Sequence, residues 1–238
     1  MESAFYTTLT RQSGLMREMR TIANNIANSS TTGYRQEGLI FAEHIVGVDN
    51  GPSLSMATAN VRNTSYAQGT LTQTGSALDL AVEGDGFFLV ETPAGERLTR
   101  NGSFAVSAEG DLVTNDGYSV LDAGGAPVFI PPDGGTLGIS GDGTISSDGR
   151  LIGQVGLVMP TDMTAMVREG GVMFRSDAGV EPVLDPLIRQ GFLESSNVEP
   201  LGQIARMIEV QRAYEMGQSF IEAEHERIRT ALQTFVAK

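Results

Sequence analysis

The sequence predicts an α+β fold: long N- and C-terminal helices packed as a coiled-coil-like helical layer, with a central all-β domain between them in the chain. Three observations support this class. Apolar side chains recur at spacings of three and four residues near both ends, all nine prolines lie between Pro52 and Pro200, and pairs of turn-forming residues follow one another closely in the middle. Long helices exclude internal proline, whereas closely spaced turns divide a chain into short strands.

The N-terminal helix is predicted to start near Ser3, which can cap it, and to end near Asn28. Four hydroxyl-bearing residues and Gly33 follow. They end the helix because hydroxyl side chains compete for backbone hydrogen bonds and glycine permits positive φ. One face carries an unbroken stripe: Phe5, Leu9, Gln12, Met16, Met19, Ala23 and Ile26. This alternation is typical of a seam that packs against another helix.

The C-terminal helix is predicted to start near Pro200, with Ser196 or Asn197 as cap candidates, and to continue to Phe235. Its stripe has the same spacing: Met207, Val210, Tyr214, Gly217, Ile221, Glu224, Ile228, Ala231 and Phe235. Bulky residues alternate with small or polar ones, so this face is too thin to be stable alone in water. The helix therefore needs a partner helix.

Two arrangements supply that partner: the two helices form a hairpin within one chain, or they pair with helices of other chains. We expect the second arrangement. The two seams lie at opposite ends of the chain with no helical signal between them, which indicates that the terminal helices pair in an assembly and that the middle of the chain projects from it. The predicted assembly seam consists of Leu9, Met16, Met19, Ile26, Met207, Val210, Tyr214, Ile221, Ile228 and Phe235.

The remaining chain divides by composition. Residues 1–40 and 187–238 are assigned to a terminal helical assembly domain, 41–76 to an extended linker region with a turn at Asn50-Gly51-Pro52, and 77–186 to the central β domain. Gly84-Asp85-Gly86 lies between apolar segments and predicts a hairpin. Further strand candidates with turns between them favour a sandwich or barrel-like unit: 98–100, 103–106, 112–114, 119–121, 128–130, 143–146 and 155–159.

The net charge of −13 is concentrated in the middle of the chain. Residues 41–186 hold six arginines and nineteen acidic residues, whereas both ends are close to neutral. No basic face is available to neutralise phosphates, so we predict no nucleic-acid partner. Dispersed acids favour a solvated surface over a calcium site. The absence of cysteine excludes disulfides and thiolate chemistry.

Few residues offer catalytic chemistry. The only histidines are His44 and His225, too few for a zinc site in a chain without cysteine. A carboxylate pair for glycoside cleavage is available among Asp79, Glu83 and Asp85, but aspartate between two glycines is expected for turn geometry alone. We therefore predict no enzymatic activity, no catalytic residue, no cofactor, no metal and no small-molecule substrate.

The sequence lacks the usual membrane signals. No apolar run approaches the roughly 18 residues that cross a bilayer. The opening residues, 1–5, lack the basic start and apolar stretch of a secretory signal peptide. General secretion rules therefore predict that the chain stays in the cytoplasm unless another export route reads it.

Three asparagines, Asn24, Asn25 and Asn28, cluster at the end of the first predicted helix. Asparagine is a poor helix former, and three together cost about 1–2 kcal/mol relative to alanine. They indicate either plain helix termination or side-chain hydrogen bonds made across an interface, as buried amides require.

Three stretches resemble the signatures of one family. The first is Ala23-Asn24-Asn25-Ile26-Ala27-Asn28 with Thr31-Thr32-Gly33-Tyr34-Arg35. The second is Leu78-Asp79-Leu80-Ala81-Val82-Glu83-Gly84-Asp85-Gly86-Phe87-Phe88 with Thr99-Arg100-Asn101-Gly102-Ser103-Phe104. The third is Ser195-Ser196-Asn197-Val198 with Met207-Ile208-Glu209-Val210-Gln211-Arg212-Ala213-Tyr214-Glu215. In this order they resemble the flagellar basal-body rod and hook family over nearly the whole chain. The opening residues and modest length are most similar to its proximal-rod subunits, whereas Gln211-Arg212-Ala213-Tyr214 has the form of distal-rod members.

The resemblance implies a structural subunit of the flagellar basal body that is exported unfolded through the flagellar type III apparatus. It implies helical assembly in the periplasm as part of the rod, which transmits torque from motor to hook. The terminal helices would form the inner tube and the β domain would face outward. The implied partners are copies of the chain, other proximal and distal rod subunits, and the export apparatus in transit. Five motif residues would shape the bend between helix and β region: Asn24, Asn25, Asn28, Gly33 and Tyr34.

Two further expectations follow from the residues themselves. The thin seams predict that the ends of a free monomer are disordered and become ordered on assembly. The alternative from another functional class is a secreted binding module or adhesin, whose β domain holds a sugar or calcium and needs no neighbouring copies.

Overall fold

A computed structural model describes residues 2–46, 54–131 and 135–236 of the protein. Its contacts divide the chain into two compact units. The terminal unit comprises Met1–Ser29, Gln36–Ser65 and Val198–Lys238, and the central unit comprises Ser30–Arg35 and Tyr66–Asn197. The predicted turn at Asn50-Gly51-Pro52 lies outside the described residues, as do the side chains of Phe5, His44 and Phe235.

The two long helices of the terminal unit are α1 (Glu2–Ala27) and α2 (Pro200–Val236). Both predicted helices, and with them the α+β class, are confirmed. Helix α1 already includes Glu2, so Ser3 lies inside its first turn. Pro200 is the first residue of α2, where its missing N–H costs no intrahelical hydrogen bond. The N–H of Gln203 donates to the carbonyl oxygen of Glu199, at 3.1 Å, as the first turn closes.

A hairpin completes the terminal unit. Strand β1 (Glu37–Val46) pairs antiparallel with β2 (Leu54–Thr64), and the register shifts at a bulge between Ile40 and Phe41. The described part of the segment 41–76 thus differs from the predicted linker, because much of it is paired strand. Ladder hydrogen bonds join backbone groups, so a run of Ser, Thr and Asn without apolar alternation can still pair.

The central unit consists of short strands in which every described pairing is antiparallel. The strands are β3 (Leu71–Gln73), β4 (Leu80–Val82), β5 (Phe87–Thr92), β6 (Gly95–Thr99), β7 (Phe104–Val106), β8 (Leu112–Thr114), β9 (Ser119–Leu121), β10 (Leu137–Ile139), β11 (Thr144–Ser147), β12 (Arg150–Gln154), β13 (Leu157–Pro160), β14 (Met166–Glu169), β15 (Met173–Ser176), β16 (Val180–Pro182), β17 (Ile188–Gln190) and β18 (Phe192–Glu194).

The largest sheet has nine strands. Seven follow the order β14-β15-β6-β5-β9-β8-β7, and β13 joins this path by pairing with both β5 and β16. Strands β10, β11 and β12 form a second sheet, while β17 pairs with β4 and β18 with β3. Two clusters of buried side chains form the core, and Phe88, Val120 and Ile145 are among the fully buried members of the larger one.

Two features of the central unit differ from those predicted. Gly84-Asp85-Gly86 does not form the predicted hairpin, because β4 pairs with β17 while β5 pairs with β6, β9 and β13. The prediction of that hairpin was wrong. Gly84 and Gly86 both have positive φ, but the partners of each flanking strand lie elsewhere in the chain. Strands β17 and β18 also belong to this unit, although the segment 187–238 was assigned to the terminal domain.

Candidate assembly site

The two helices of the terminal unit pack against one another. Leu15, Ile22 and Val210 are buried between them, with five partly buried side chains packed around this cluster: Met19, Ile26, Met207, Ala213 and Tyr214. The helices are antiparallel, since Gln12 lies against Gly217 whereas Asn25 hydrogen-bonds to Gln203. The hairpin within one chain, which the sequence left open, is therefore present in the structure.

The predicted seam residues fall into two groups. Met19, Ile26, Met207, Val210 and Tyr214 belong to the cluster between the helices. The remaining described members are less covered: Leu9, Met16 and Ile228 are 40%, 36% and 47% exposed, and Ile221 is half-buried.

Leu15 and Ile22 are buried apolar residues of α1 that the predicted stripe missed. The sequence does contain a second stripe that includes both residues. Its spacing is the same as that of the predicted stripe, and three of its positions are shared: it consists of residues 8, 12, 15, 19, 22 and 26.

Other apolar side chains of α2 also remain uncovered by their own chain. Leu201, Ile204 and Ile208 recur at three- and four-residue spacing and are 78%, 45% and 46% exposed. They lie on a different face from Val210, which is 2% exposed. Each helix thus packs one apolar face within the chain and presents further apolar side chains to the surroundings.

Asn25 and its two neighbouring motif asparagines play different roles. Asn25 is 1% exposed, and its carboxamide forms a two-way pair with the backbone of Glu37: Nδ2 donates to the carbonyl oxygen at 2.7 Å, and Oδ1 accepts from the N–H at 3.0 Å. Asn28 instead donates to the carbonyl oxygen of Asn24, at 2.8 Å, within the last turn of α1. Asn25 therefore fixes the strand that follows the helix, and the other two terminate the helix locally.

A polar contact accompanies the apolar one. Nη2 of Arg206 lies 2.7 Å from Oε1 of Glu18, whose side chain is only 12% exposed. Hydrogen bonds to Glu18 and Glu209 raise the pKa of Arg206 above its ordinary value. This ion pair favours one register of α1 against α2, because its partners come from both helices.

In the central unit, residues from the three motif regions meet at a buried carboxylate. Glu194, just before Ser195, is 0% exposed and lies between two arginines. Its Oε1 is 2.7 Å from Nη1 of Arg35, and its Oε2 is 3.4 Å from Nη1 of Arg100. We call these three residues the charge junction. Their pairing was not predicted, although Arg35 and Arg100 lie inside two of the family motifs and Glu194 borders the third.

Further hydrogen bonds hold the charge junction. The backbone N–H of Gly69 donates to Oε1 of Glu194 at 2.8 Å, and Nη2 of Arg100 donates to the carbonyl oxygen of Gly84 at 2.7 Å. Nε and Nη2 of Arg35 and Nε of Arg100 are buried and find no partner among the described residues. Burial lowers the pKa of both arginines, that of Arg100 to about 10, while the charge of Glu194 opposes this shift.

Gly33 and Tyr34 lie next to the charge junction in sequence and are closely packed. Tyr34 is 1% exposed, with the guanidinium of Arg168 over its ring at 4.5 Å. Gly33 has a φ of +68°, and a Cβ there would lie 2.4 Å from the backbone N of Asn101. The backbone N–H of Gly33 also donates to the carbonyl oxygen of Glu194, at 2.8 Å. The segment 31–35 is thus packed and hydrogen-bonded within the central unit.

Two of the carboxylates considered for catalysis, Asp79 and Glu83, have structural partners. Asp79 accepts a hydrogen bond from the hydroxyl of Thr74, and Glu83 forms an ion pair with Arg189 at the surface. Among the described residues, no group of three His, Cys, Asp or Glu is placed to hold a metal ion. Within the same residues, neither helix is long and apolar enough to cross a membrane.

Models of known protein families match the chain in all three motif regions. Residues 5–35 match the family model described as flagella basal body rod protein. Residues 81–147 match the flagellar hook protein FlgE/F/G D1 domain, and residues 189–234 match the flagellar basal body rod FlgEFG protein C-terminal.

Individual relatives are similar over almost their whole length. The chain is 39% identical over 241 residues to the flagellar basal-body rod protein FlgF of Caulobacter vibrioides, and the alignment covers 98% of both chains. It is 34% identical over 237 residues to FlgF of Rhizobium meliloti, again with 98% of both covered. Identity to the flagellar basal-body rod protein FlgG of Bacillus subtilis is 28% over 254 residues, covering 95% of this chain and 96% of the relative.

Proposed function

Because the chain belongs to the flagellar basal-body rod protein family, we propose that it is a proximal-rod subunit that assembles helically and transmits torque from motor to hook. Its place as a structural subunit of the basal-body rod, which spans the periplasm, follows from the family itself. The observation that carries the proximal assignment is full-length similarity to proteins named FlgF at 34% to 39% identity. The distal-rod alternative has lower support, at 27% to 32% identity to proteins named FlgG.

The exposed apolar side chains support assembly through the terminal helices. Leu9 and Met16 are seven residues apart, so they lie in one line along the flank of α1 beside the face that packs on α2. Leu201, Ile204 and Ile208 form a comparable line on α2. We propose that these lines contact helices of neighbouring copies in a coiled-coil-like layer, with the helix pair of each chain as the repeating element.

The length of α2 supports the same arrangement. It has 37 residues against 26 in α1, and the antiparallel register places Gln12 against Gly217. The last turns of α2 therefore have no residue of α1 opposite them. Ile228 and Leu232, in these turns, are 47% and 60% exposed. A helix of a neighbouring copy would remove them from water at a gain of about 25 cal/mol per Å² buried.

The central unit supports torque transmission by its rigidity. The charge junction joins segment 31–35, the connection between β6 and β7 at Arg100, and the end of β18 through one buried carboxylate. Buried ion pairs add little net stability, but they fix geometry strictly because any displacement leaves a charge unpaired. We propose that partners of the assembled chain are copies of itself, other rod subunits and, in transit, the export apparatus, and that the chain carries out no catalysis.

The proposed assembly is tested by complementation: each variant is expressed in a flagellated bacterium made non-motile by deletion of its own proximal-rod subunit. We expect Met16→Asp and Ile221→Asp to abolish swimming and rod formation seen by electron microscopy of isolated basal bodies. Arg17→Asp is the matched control and is expected to complement, because Arg17 is exposed and points about 100° around α1 from Met16. The purified variants should keep the circular dichroism of the parent β strands, which separates lost assembly from lost folding. Normal rods with Met16→Asp and Ile221→Asp would contradict the proposed seam.

A further inference from the structure

A cavity of about 700 Å³ lies at one end of the nine-stranded sheet of the central unit. Three hairpin turns line it: the turn between β5 and β6 at Pro93, the turn between β8 and β9 at Asp116, and the turn between β14 and β15 at Gly170. Its volume is within the range of pockets that hold small organic ligands. Gly170 and Gly171 have positive φ and no heavy atom within 4 Å of where a Cβ would be, which leaves this side of the cavity open.

The charges at the base of the cavity are already compensated. Arg97 is 7% exposed, and its Nε and Nη2 both lie 2.7 Å from Oε2 of Glu169. Oε1 of Glu169 lies 2.7 Å from Nε of Arg175. The guanidinium of Arg97 is therefore already paired and is not available to an anionic ligand. Asp116 is the lining carboxylate for which no ion-pair partner exists among the described residues.

Three polar groups of the lining have no hydrogen-bond partner among the described residues: the carboxylate of Asp116, the hydroxyl of Tyr118 and the side-chain NH₂ of Asn101. The first is an acceptor, the second can donate and accept, and the third is a donor. Pro93, Val172 and Met173 supply apolar surface beside them.

We propose that this cavity binds an oligosaccharide. A pyranose ring is neutral, has hydroxyl groups that both donate and accept, and has an apolar face of C–H groups, which matches the three kinds of surface in the lining. A lone carboxylate such as Asp116 is a poor cation site, because calcium takes six to eight oxygen ligands and those are not gathered here. This inference is independent of the proposed helical assembly.

The test uses the full-length chain and two soluble probes, chitotetraose and cellotetraose, observed by ligand-detected saturation-transfer NMR and calorimetry. We expect saturable binding of at least one probe with a dissociation constant of about 1 mM or below. Preference for chitotetraose would identify acetamido groups as part of the recognised chemistry, and equal binding would identify ring hydroxyls alone. Both of these results support the cavity as a sugar site.

Two variants locate the binding. Asp116→Asn and Tyr118→Phe remove one charge and one hydroxyl with little change in shape, and together they should weaken binding by at least about tenfold. Asp185→Asn, another exposed loop aspartate outside the cavity, is the matched control and should bind like the parent. Amide NMR spectra of all variants establish that they fold. Absence of saturable binding by both probes, or binding that the paired variants leave unchanged, would overturn the proposal.

Discussion

Glu194→Gln isolates the energetic role of the charge junction. Glutamine has almost the same shape as glutamate and can keep the hydrogen bond from Gly69, but it removes the carboxylate charge that contacts both Arg35 and Arg100. All three side chains are at most 4% exposed. Removing one partner from a buried ion pair typically costs about 3–5 kcal/mol, because the remaining charge is neither solvated nor paired.

That cost is large relative to the stability of a natural domain, which is about 5–15 kcal/mol. For a chain of this length, a loss of about 3–5 kcal/mol lowers the melting temperature by roughly 6–20 °C. The assay is urea unfolding of the purified chain, followed by circular dichroism and by tyrosine fluorescence. Tyr34 is a useful reporter, since its ring is buried next to Arg35 in the sequence and the chain has no tryptophan.

Two controls separate the junction from ordinary ion pairs. Glu83→Gln breaks the surface pair with Arg189, in which both side chains are more than two-fifths exposed, and should cost less than about 1 kcal/mol. Replacing all three junction residues by methionine removes the charges together, and it should be less damaging than Glu194→Gln alone. A loss below about 1 kcal/mol for Glu194→Gln, or a triple variant less stable than the single one, would refute this account.

Three further predictions concern the motif residues and the helix ends. Gly33→Ala should destabilise the central unit by clearly more than Gly75→Ala in urea unfolding: both glycines have positive φ, but only Gly33 has backbone atoms within 3 Å of the added Cβ. Equal losses would mean that φ alone matters. Asn25→Ala removes two hydrogen bonds to the buried backbone of Glu37 and should cost about 1–3 kcal/mol, with faster amide exchange in β1; Asn24→Ala is the exposed control. Hydrogen exchange of the monomer should show little protection in the last turns of α2, and strong protection there before assembly would contradict ordering by neighbouring copies.

The two helices show what the spacing of apolar residues can predict and what it cannot. The three-and-four spacing located both helices and five of the residues that lie between them, because helical geometry repeats locally. It did not distinguish the stripe through Met16 from the one through Leu15, since both are apolar and differ by one residue. Only the position of α2 decides that Leu15 and Ile22 are buried while Met16 is 36% exposed.

The sequence by itself determined the two helices, the α+β class, the positions of many short strands, and the family to which the chain belongs. These follow from local rules: helical spacing, proline placement, turn residues and motifs. The tertiary structure alone decided that β4 pairs with β17 rather than with β5, and that Glu194 meets Arg35 and Arg100. These partners are separated by more than ninety residues along the chain, and no local preference of the backbone or side chain carries information about which distant segment will complete a strand or neutralise a buried charge.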